Sequence, residues 1–262
     1  MTVRAALICS ESSVFNRRVL PARLAAFTDL VGIVVIRDRP STFWRRFKRE
    51  WRRSRWRVLD VLAFRVFYRL RWAKSDRRWI ADRAALELRD LPPLPDVPVR
   101  STDDPNTPEI RAFLESLSPE IAVAACKTLL RPEIFNVPTH GTFVVHPGIC
   151  PEYRNSHGCF WALTRRDLDR VGATLLRIDE GVDTGPVYGY YAPEFDERRE
   201  SHVVIQLKSV YDNFDAIATD LERVYRGEAK PIDVTGRASM AWGQPRLTDY
   251  VRWKRAARRS GA

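Results

Sequence analysis

Apolar residues recur along this chain with two periods. Residues 3 to 9 (Val-Arg-Ala-Ala-Leu-Ile-Cys) are almost continuously apolar, which predicts a buried strand, and a polar turn and a helix around Phe15 to Phe27 follow. Leu30 to Ile36, rich in Val and Ile, predicts a second strand. Strand, helix and strand in that order imply a parallel pair joined by a right-handed crossover. No Gly-x-Gly-x-x-Gly follows the first strand, so the phosphate loop of a dinucleotide-binding fold is lacking.

The pattern resumes at Val97. Asn106 as cap, with Glu109 reaching back, opens a helix whose Ile110, Phe113, Leu114 and Leu117 share one face, and Ser118-Pro119 closes it. Ile121 to Ala125, Thr142 to Val145, Ala173 to Ile178 and Val187 to Tyr191 read as short strands, the last two as arms of a hairpin about an acidic turn. From Ser201 onward, Val203, Leu207, Val210, Phe214, Ile217, Leu221 and Val224 at three- and four-residue steps predict one long helix, ended by Gly227. Strands alternating with helices imply an α/β fold, Rossmann-like, with a mostly parallel sheet in a single domain over residues 1–262.

Two stretches stand apart from this alternation. Residues 39–95 read as a basic helical insertion after the second strand. Phe43, Phe47 and Trp51 fall at four-residue steps amid arginines, Val58 to Trp72 and Trp79 to Leu88 continue the helical pattern, and Pro92, Pro93, Pro95 and Pro98 end it in an extended connector. The insertion is expected to be an appendage outside the sheet whose removal leaves a folded core. Between Arg45 and Arg83, fifteen Lys or Arg stand against four Asp or Glu, a surplus equal to the chain's whole net charge of +11. That surplus fits a helical hairpin with solvated arginines, a clamp for a phosphate-bearing molecule, an RNA contact, or attachment to an anionic membrane surface. The tail, 227–262, carries Trp242 to Tyr250 and then Arg252, Lys254, Arg255, Arg258 and Arg259; it either folds over the acceptor cleft or frays as a basic terminal helix.

With 262 residues the chain can bury one large α/β core, and 45% hydrophobic with 11% aromatic residues is a globular level. No run approaches a membrane span, and Ala5 to Cys9 lacks the charged leader and cleavage pattern of a secretory segment. Cys9, Cys126, Cys150 and Cys159 read as reduced thiols, which points to the cytoplasm. His146, Cys150, His157 and Cys159 lie close in sequence, but their spacing is not that of a zinc finger or ribbon, so no metal is expected.

The chemistry concentrates between Gly141 and Gly185. An apolar strand ends in His146-Pro147-Gly148, and an acidic turn, Asp179-Glu180-Gly181-Val182-Asp183-Thr184-Gly185, follows further on. A histidine at a strand end facing a carboxylate makes an acid/base pair. His-Pro-Gly-x-x-Pro-x-Tyr-Arg, then Phe-Trp-Ala-Leu, then Gly-Ala-Thr-Leu-x-x-Ile-Asp-Glu-Gly-Val-Asp-Thr-Gly-Pro-Val resembles the core of the folate-dependent formyltransferases, over residues 96 to 190 well and the first strand and helix loosely.

The resemblance implies an Asn, His and Asp trio around the formyl carbon of 10-formyltetrahydrofolate, the co-substrate. His146 and Asp183 match, but Val144 stands where the family has Asn and donates no hydrogen bond. Loss of one oxyanion donor typically costs about 10²–10³ in rate. Asn155, where the family usually has Gly, and His157 are the polar candidates to replace it. The resemblance also places the pteridine ring between Ala125, Cys126, Lys127 and Thr128 on one side and Arg177, Ile178, Asp179, Glu180, Gly181 and Val182 on the other.

Three functions follow from these features. The first is formyl transfer to a primary amine of a small acceptor, with the cationic insertion favouring a phosphate-bearing one. The second is altered one-carbon or acyl transfer, or binding alone, on the same fold. The third is an RNA-binding or membrane-surface protein that acts through its basic insertion.

Overall fold

The computed structural model describes residues 2–37 and 55–259; the aromatic stripe of Phe43, Phe47 and Trp51 lies outside the described residues. The chain runs β1 (Arg4–Ser10), a π-helical turn (Phe15–Val19), α1 (Leu20–Phe27), β2 (Asp29–Ile36), α2 (Arg55–Arg71), α3 (Ala73–Arg89), β3 (Val99–Thr102), α4 (Pro108–Leu117) and β4 (Ile121–Ala125). It continues through α5 (Pro132–Phe135), β5 (Thr142–His146), β6 (Arg154–Asn155), α6 (Gly158–Thr164), β7 (Ala173–Arg177), β8 (Val187–Tyr191), α7 (His202–Tyr211), α8 (Phe214–Tyr225), β9 (Ala241–Trp242) and α9 (Leu247–Arg259).

Six of the seven β1 residues are buried. A strand buried on both faces belongs in the middle of a covered sheet. The seven strands are ordered β3-β2-β1-β4-β5-β7-β8, with β3 through β5 parallel and β7 and β8 antiparallel. Alternation divides β1 between the two faces. Ala5, Leu7 and Cys9 pack with Leu24 of α1 and Ile217 and Leu221 of α8, while Ala6 and Ile8 pack with Ile110 and Leu114 of α4.

A second, aromatic core lies beside the sheet. It is built around α6, whose Cys159, Phe160, Ala162 and Leu163 have no exposed surface, and it takes Phe64 and Trp72 from the α2–α3 hairpin and Tyr250 and Trp253 from α9. The hairpin stands outside the sheet, and its inner face is part of this aromatic core; Arg57, Arg65, Arg69, Arg71, Arg77 and Arg78 are exposed, while Arg83 turns onto Glu87. Two buried acids fix it further: Asp76 accepts from Tyr68 (2.7 Å) and from Ser201 (2.6 Å), and Glu87 accepts from Arg23 and Arg83.

Local differences from the sequence reading have local causes. The long helix from Ser201 is two, α7 and α8, broken at Asp212-Asn213, where the Asn213 amide donates to the carbonyls of Ala192 and Ser209. Asn and Asp favour such side-chain bonds over helix continuation. α4 is capped by Thr107, whose hydroxyl accepts from the Ile110 N–H, while Asn106 is drawn away to the backbone of Leu129 and Arg131. The tail folds back over the domain, with Trp253 fully buried.

Phe64→Ala and Trp72→Ala are each expected to lower the unfolding free energy by about 3–5 kcal/mol in urea titration, whereas Leu70→Ala, on the exposed side of α2, is expected to change it by less than about 0.5 kcal/mol.

Candidate active site

β5 presents Val144 and His146 on one face, since alternate residues share a side. His146 is 6% exposed. The loop after it must turn tightly to pass over the ring. Gly148 permits this, because a Cβ there would collide with the carbonyl oxygen of Tyr153 and lie 2.8 Å from His146 Nε2. The Tyr153 carbonyl is thereby brought to 3.0 Å from Nε2.

Asp183 arrives from the β7–β8 hairpin. The Ile178 N–H donates to the Thr142 carbonyl at the start of β5 (2.7 Å), and the hairpin loop then folds back along the strand. This places Asp183 Oδ2 at 3.4 Å from His146 Nδ1. The same carboxylate oxygen accepts the Asn155 backbone N–H at 2.7 Å. Both Asn155 (φ 75°) and Asp183 (φ 52°) adopt the left-handed conformation, in which Asn and Asp are the least strained of the non-glycine residues. His146, Asp183 and Asn155, expected from sequence to act together, do meet here.

Each ring nitrogen of His146 faces an acceptor, the Asp183 carboxylate on one side and the Tyr153 carbonyl on the other. For Nε2 to address a substrate oxygen, it has to leave the Tyr153 carbonyl. Val144, on the same face and partly buried, packs against the apolar cluster of Cys150, Leu176 and Val187. The Asn155 side chain donates to the Trp242 carbonyl (2.6 Å), which leaves a second amide hydrogen.

The two segments expected to flank the pteridine ring border one apolar cluster, against which Cys126 and Ile178 both pack. The Ala125 carbonyl accepts from Asn16 (2.8 Å), the Cys126 thiol contacts the Thr128 carbonyl (3.4 Å), and Lys127 and Thr128 are exposed. In the opposite segment, Asp179 accepts from the Gly181 N–H and from the Thr184 hydroxyl, which shapes the turn. Arg177 and Glu180 are exposed, and the Val182 carbonyl accepts from Arg154 (2.8 Å). Cys150 and Cys159 are buried, and burial pushes both thiols up to about 12, so they are protonated packing groups.

Sequence reasoning missed two parts of this neighbourhood. One is a pair of histidines: His157 lies 5.9 Å, ring to ring, from His202, which Phe64, Tyr68 and Phe160 enclose and whose Nδ1 has no hydrogen-bond partner among the described residues. The other is Arg237, which forks onto Glu152 (2.9 and 2.7 Å) and donates to the Tyr190 hydroxyl (2.6 Å). Both pairings join residues some 45 to 85 positions apart, and no local pattern announces them.

Solved formyltransferases share this sheet. Over 94% of this chain and all of the other, it superposes on a phosphoribosylglycinamide formyltransferase from Anaplasma phagocytophilum with a TM-score of 0.55 at 12% identity. A sugar N-formyltransferase from a Shewanella species gives 0.53 at 13% identity, over 97% of this chain and 87% of that one. In sequence, residues 92–206 match the Formyl transferase family. A methionyl-tRNA formyltransferase from Sorangium cellulosum is 28% identical over 238 residues, 90% of this chain and 64% of that protein. The chain is thus similar to formyltransferases in its fold and in the sequence of residues 92–206. It spans less than two thirds of the length of the first of these curated relatives and about half of the next.

Burial, aided by the positive field of Lys127 and Arg65, pushes His157 down to about 4, and burial beside His157 and Lys254 holds His202 well below its ordinary value near 6.5. An unfolded chain therefore binds more protons than the folded one between pH 6.5 and about 4. Stability is present in full above pH 6.5 and is lost as pH falls through that window, by at most about 1.4 kcal/mol per pH unit for each histidine. His202→Phe, which removes one of the two protons, is expected to flatten the acid limb of thermal midpoint against pH.

Proposed function

We propose that this protein transfers the formyl group of 10-formyltetrahydrofolate to a primary amine on a small, phosphate-bearing acceptor. The observation that carries the reading is the His146–Asp183 contact at 3.4 Å, with Asp183 anchored by the Asn155 N–H. The folate is suited to the place where Cys126 and Ile178 border one apolar cluster, which offers a flat heteroaromatic ring an apolar surface, with the exposed residues Lys127 and Thr128 beside it. It supplies the activated carbon: the amine forms the new C–N bond, the bond to N10 breaks, and one proton passes from the amine to N10.

The residues of the chain stabilise the charge that develops on the formyl oxygen. His146 donates to that oxygen and takes part in the proton transfer, and Asp183 holds the ring's orientation and tautomer. Asn155 supplies its second amide hydrogen as the donor that Val144 lacks. Lys127 and Arg65 both bear electrostatically on His157, two residues from Asn155, and this positive field supports an anionic group on the acceptor. Four unpaired cysteines, three of them buried, support a reducing compartment and hence the cytoplasm.

Calorimetry with 5-formyltetrahydrofolate tests the folate assignment, and absence of heat at millimolar ligand would remove it. His146→Ala and Asp183→Asn are each expected to reduce turnover at least about 10²-fold with little change in folate affinity, and the double variant should be scarcely worse than either. Asn155→Gly keeps a backbone suited to φ 75°, so a drop of about 10²–10³ in kcat at unchanged folate affinity identifies the side chain as the donor, while full activity removes that role. Val144→Asn is expected to give no gain and to destabilise by about 1–3 kcal/mol, since its amide enters an apolar cluster.

A further inference from the structure

α2 presents an outer apolar stripe. Trp56 (82% exposed), Leu59 (44%), Ala63, Val66 (60%) and Leu70 (82%) recur at alternating steps of three and four residues. At the helical repeat they fall within an arc of about 80°. The inner side of the same helix carries Phe64 into the aromatic core.

α9 lies alongside. The Thr248 N–H and hydroxyl bond the two oxygens of Asp60 (3.1 and 2.5 Å), and Phe67 packs on Tyr250 with ring centroids 4.9 Å apart. α9 turns Tyr250, Trp253 and Ala257 inward and leaves Arg252, Arg255 and Arg259 exposed at three- and four-residue steps. Both helices bury their inner faces on Phe160, through Phe64 at 5.6 Å and Trp253 at 6.4 Å, and they also touch each other through Asp60 and Thr248, so they lie side by side on the aromatic core. The arginine row, with Arg166, Leu247 and Val251, lines an open cleft of about 880 Å³, in which Arg252 pairs with Asp249 (3.4 Å) and Arg166 with Glu197 (2.5 Å).

We propose that this α2–α9 surface docks the protein on an anionic lipid bilayer, with the α2 stripe in the headgroup–acyl boundary and the arginine row on lipid phosphates. An apolar stripe beside a row of guanidinium groups is the pattern of an interfacial helix, which needs both burial of apolar surface and attraction to anionic lipid. RNA matches only half of it, since Leu59, Val66 and Leu70 offer nothing to a phosphate backbone. A second copy of the chain matches poorly as well. Pairing on the stripe would bring two arginine rows together, and five side chains fall well short of the roughly 20–30 residues per side of a stable interface. The inference is independent of formyl transfer and stands whether or not that activity does.

The test is co-sedimentation of the full chain with phosphatidylcholine vesicles, with and without phosphatidylglycerol. Binding is expected only with the anionic lipid and should weaken as salt is raised. Leu59→Asp/Val66→Asp and, separately, Arg255→Glu/Arg259→Glu should each lower the partition coefficient by about a hundredfold or more. All these positions are exposed, so the thermal midpoint should be retained. In the unaltered protein, acyl-brominated phosphatidylglycerol should quench a fraction of tryptophan emission that Trp56→Phe abolishes. Equal binding to neutral vesicles, unaltered binding by either set of variants, or no quenching at Trp56 overturns the proposal. So does absence of vesicle binding with either a dimer dispersed by Leu59→Asp or RNA binding lost with the arginine variant.

Discussion

The ring of Trp242 carries the loop that follows His146. It stacks on Trp161 at 4.7 Å and on Tyr153 at 5.9 Å, its indole N–H donates to the Glu152 carbonyl (2.9 Å), and its own carbonyl accepts the Asn155 amide. Residues 147–157 form little regular structure beyond the two-residue strand β6, so their backbone groups have to be satisfied from elsewhere. The tail provides this through the β6–β9 pairing, the Arg154 N–H on the Met240 carbonyl and the Met240 N–H on the Pro151 carbonyl. Each aromatic contact is worth about 0.5–1.5 kcal/mol beyond its buried area, and together they hold Tyr153 where its carbonyl meets His146.

The α2–α3 hairpin has two faces with opposite physical characters. Its inner face supplies aromatic core and two buried acids, each with more than one hydrogen-bond donor, which offsets the cost of removing a carboxylate from water. Its outer face keeps the arginines in solvent, where they neither add to nor subtract much from stability. A sequence tally of charge sees only the second face. The first is visible as Phe64 and Trp72 at the spacing of a buried stripe, but not what the stripe packs against.

The strands were legible because their apolar runs are short, continuous and bounded by polar turns, as in Ile121 to Ala125. The match of the segment around His146 and Asp183 to a known pattern made the central pair legible too. Three kinds of feature were not. The break at Asp212-Asn213 turns on side-chain bonds to Ala192, which lies outside the helix. The capture of Asn106 by Leu129 and Arg131 leaves Thr107 as the cap, a choice between neighbours that depends on the distant loop. The His157–His202 pair and the Arg237 fork depend on tertiary folding alone.

The dependence of the loop on residues 240–243 also governs when the site can exist. A chain emerging from its amino terminus completes β1 to β5, and with them His146, long before Trp242 is made, and Asp183 follows while the tail is still missing. Loop 147–157 then lacks the indole it stacks on and the strand it pairs with. Contacts that close over some 90 residues form late in folding. A chain stopped short of Trp242 therefore carries His146 and Asp183 without the supported loop that brings the Asn155 N–H onto Asp183.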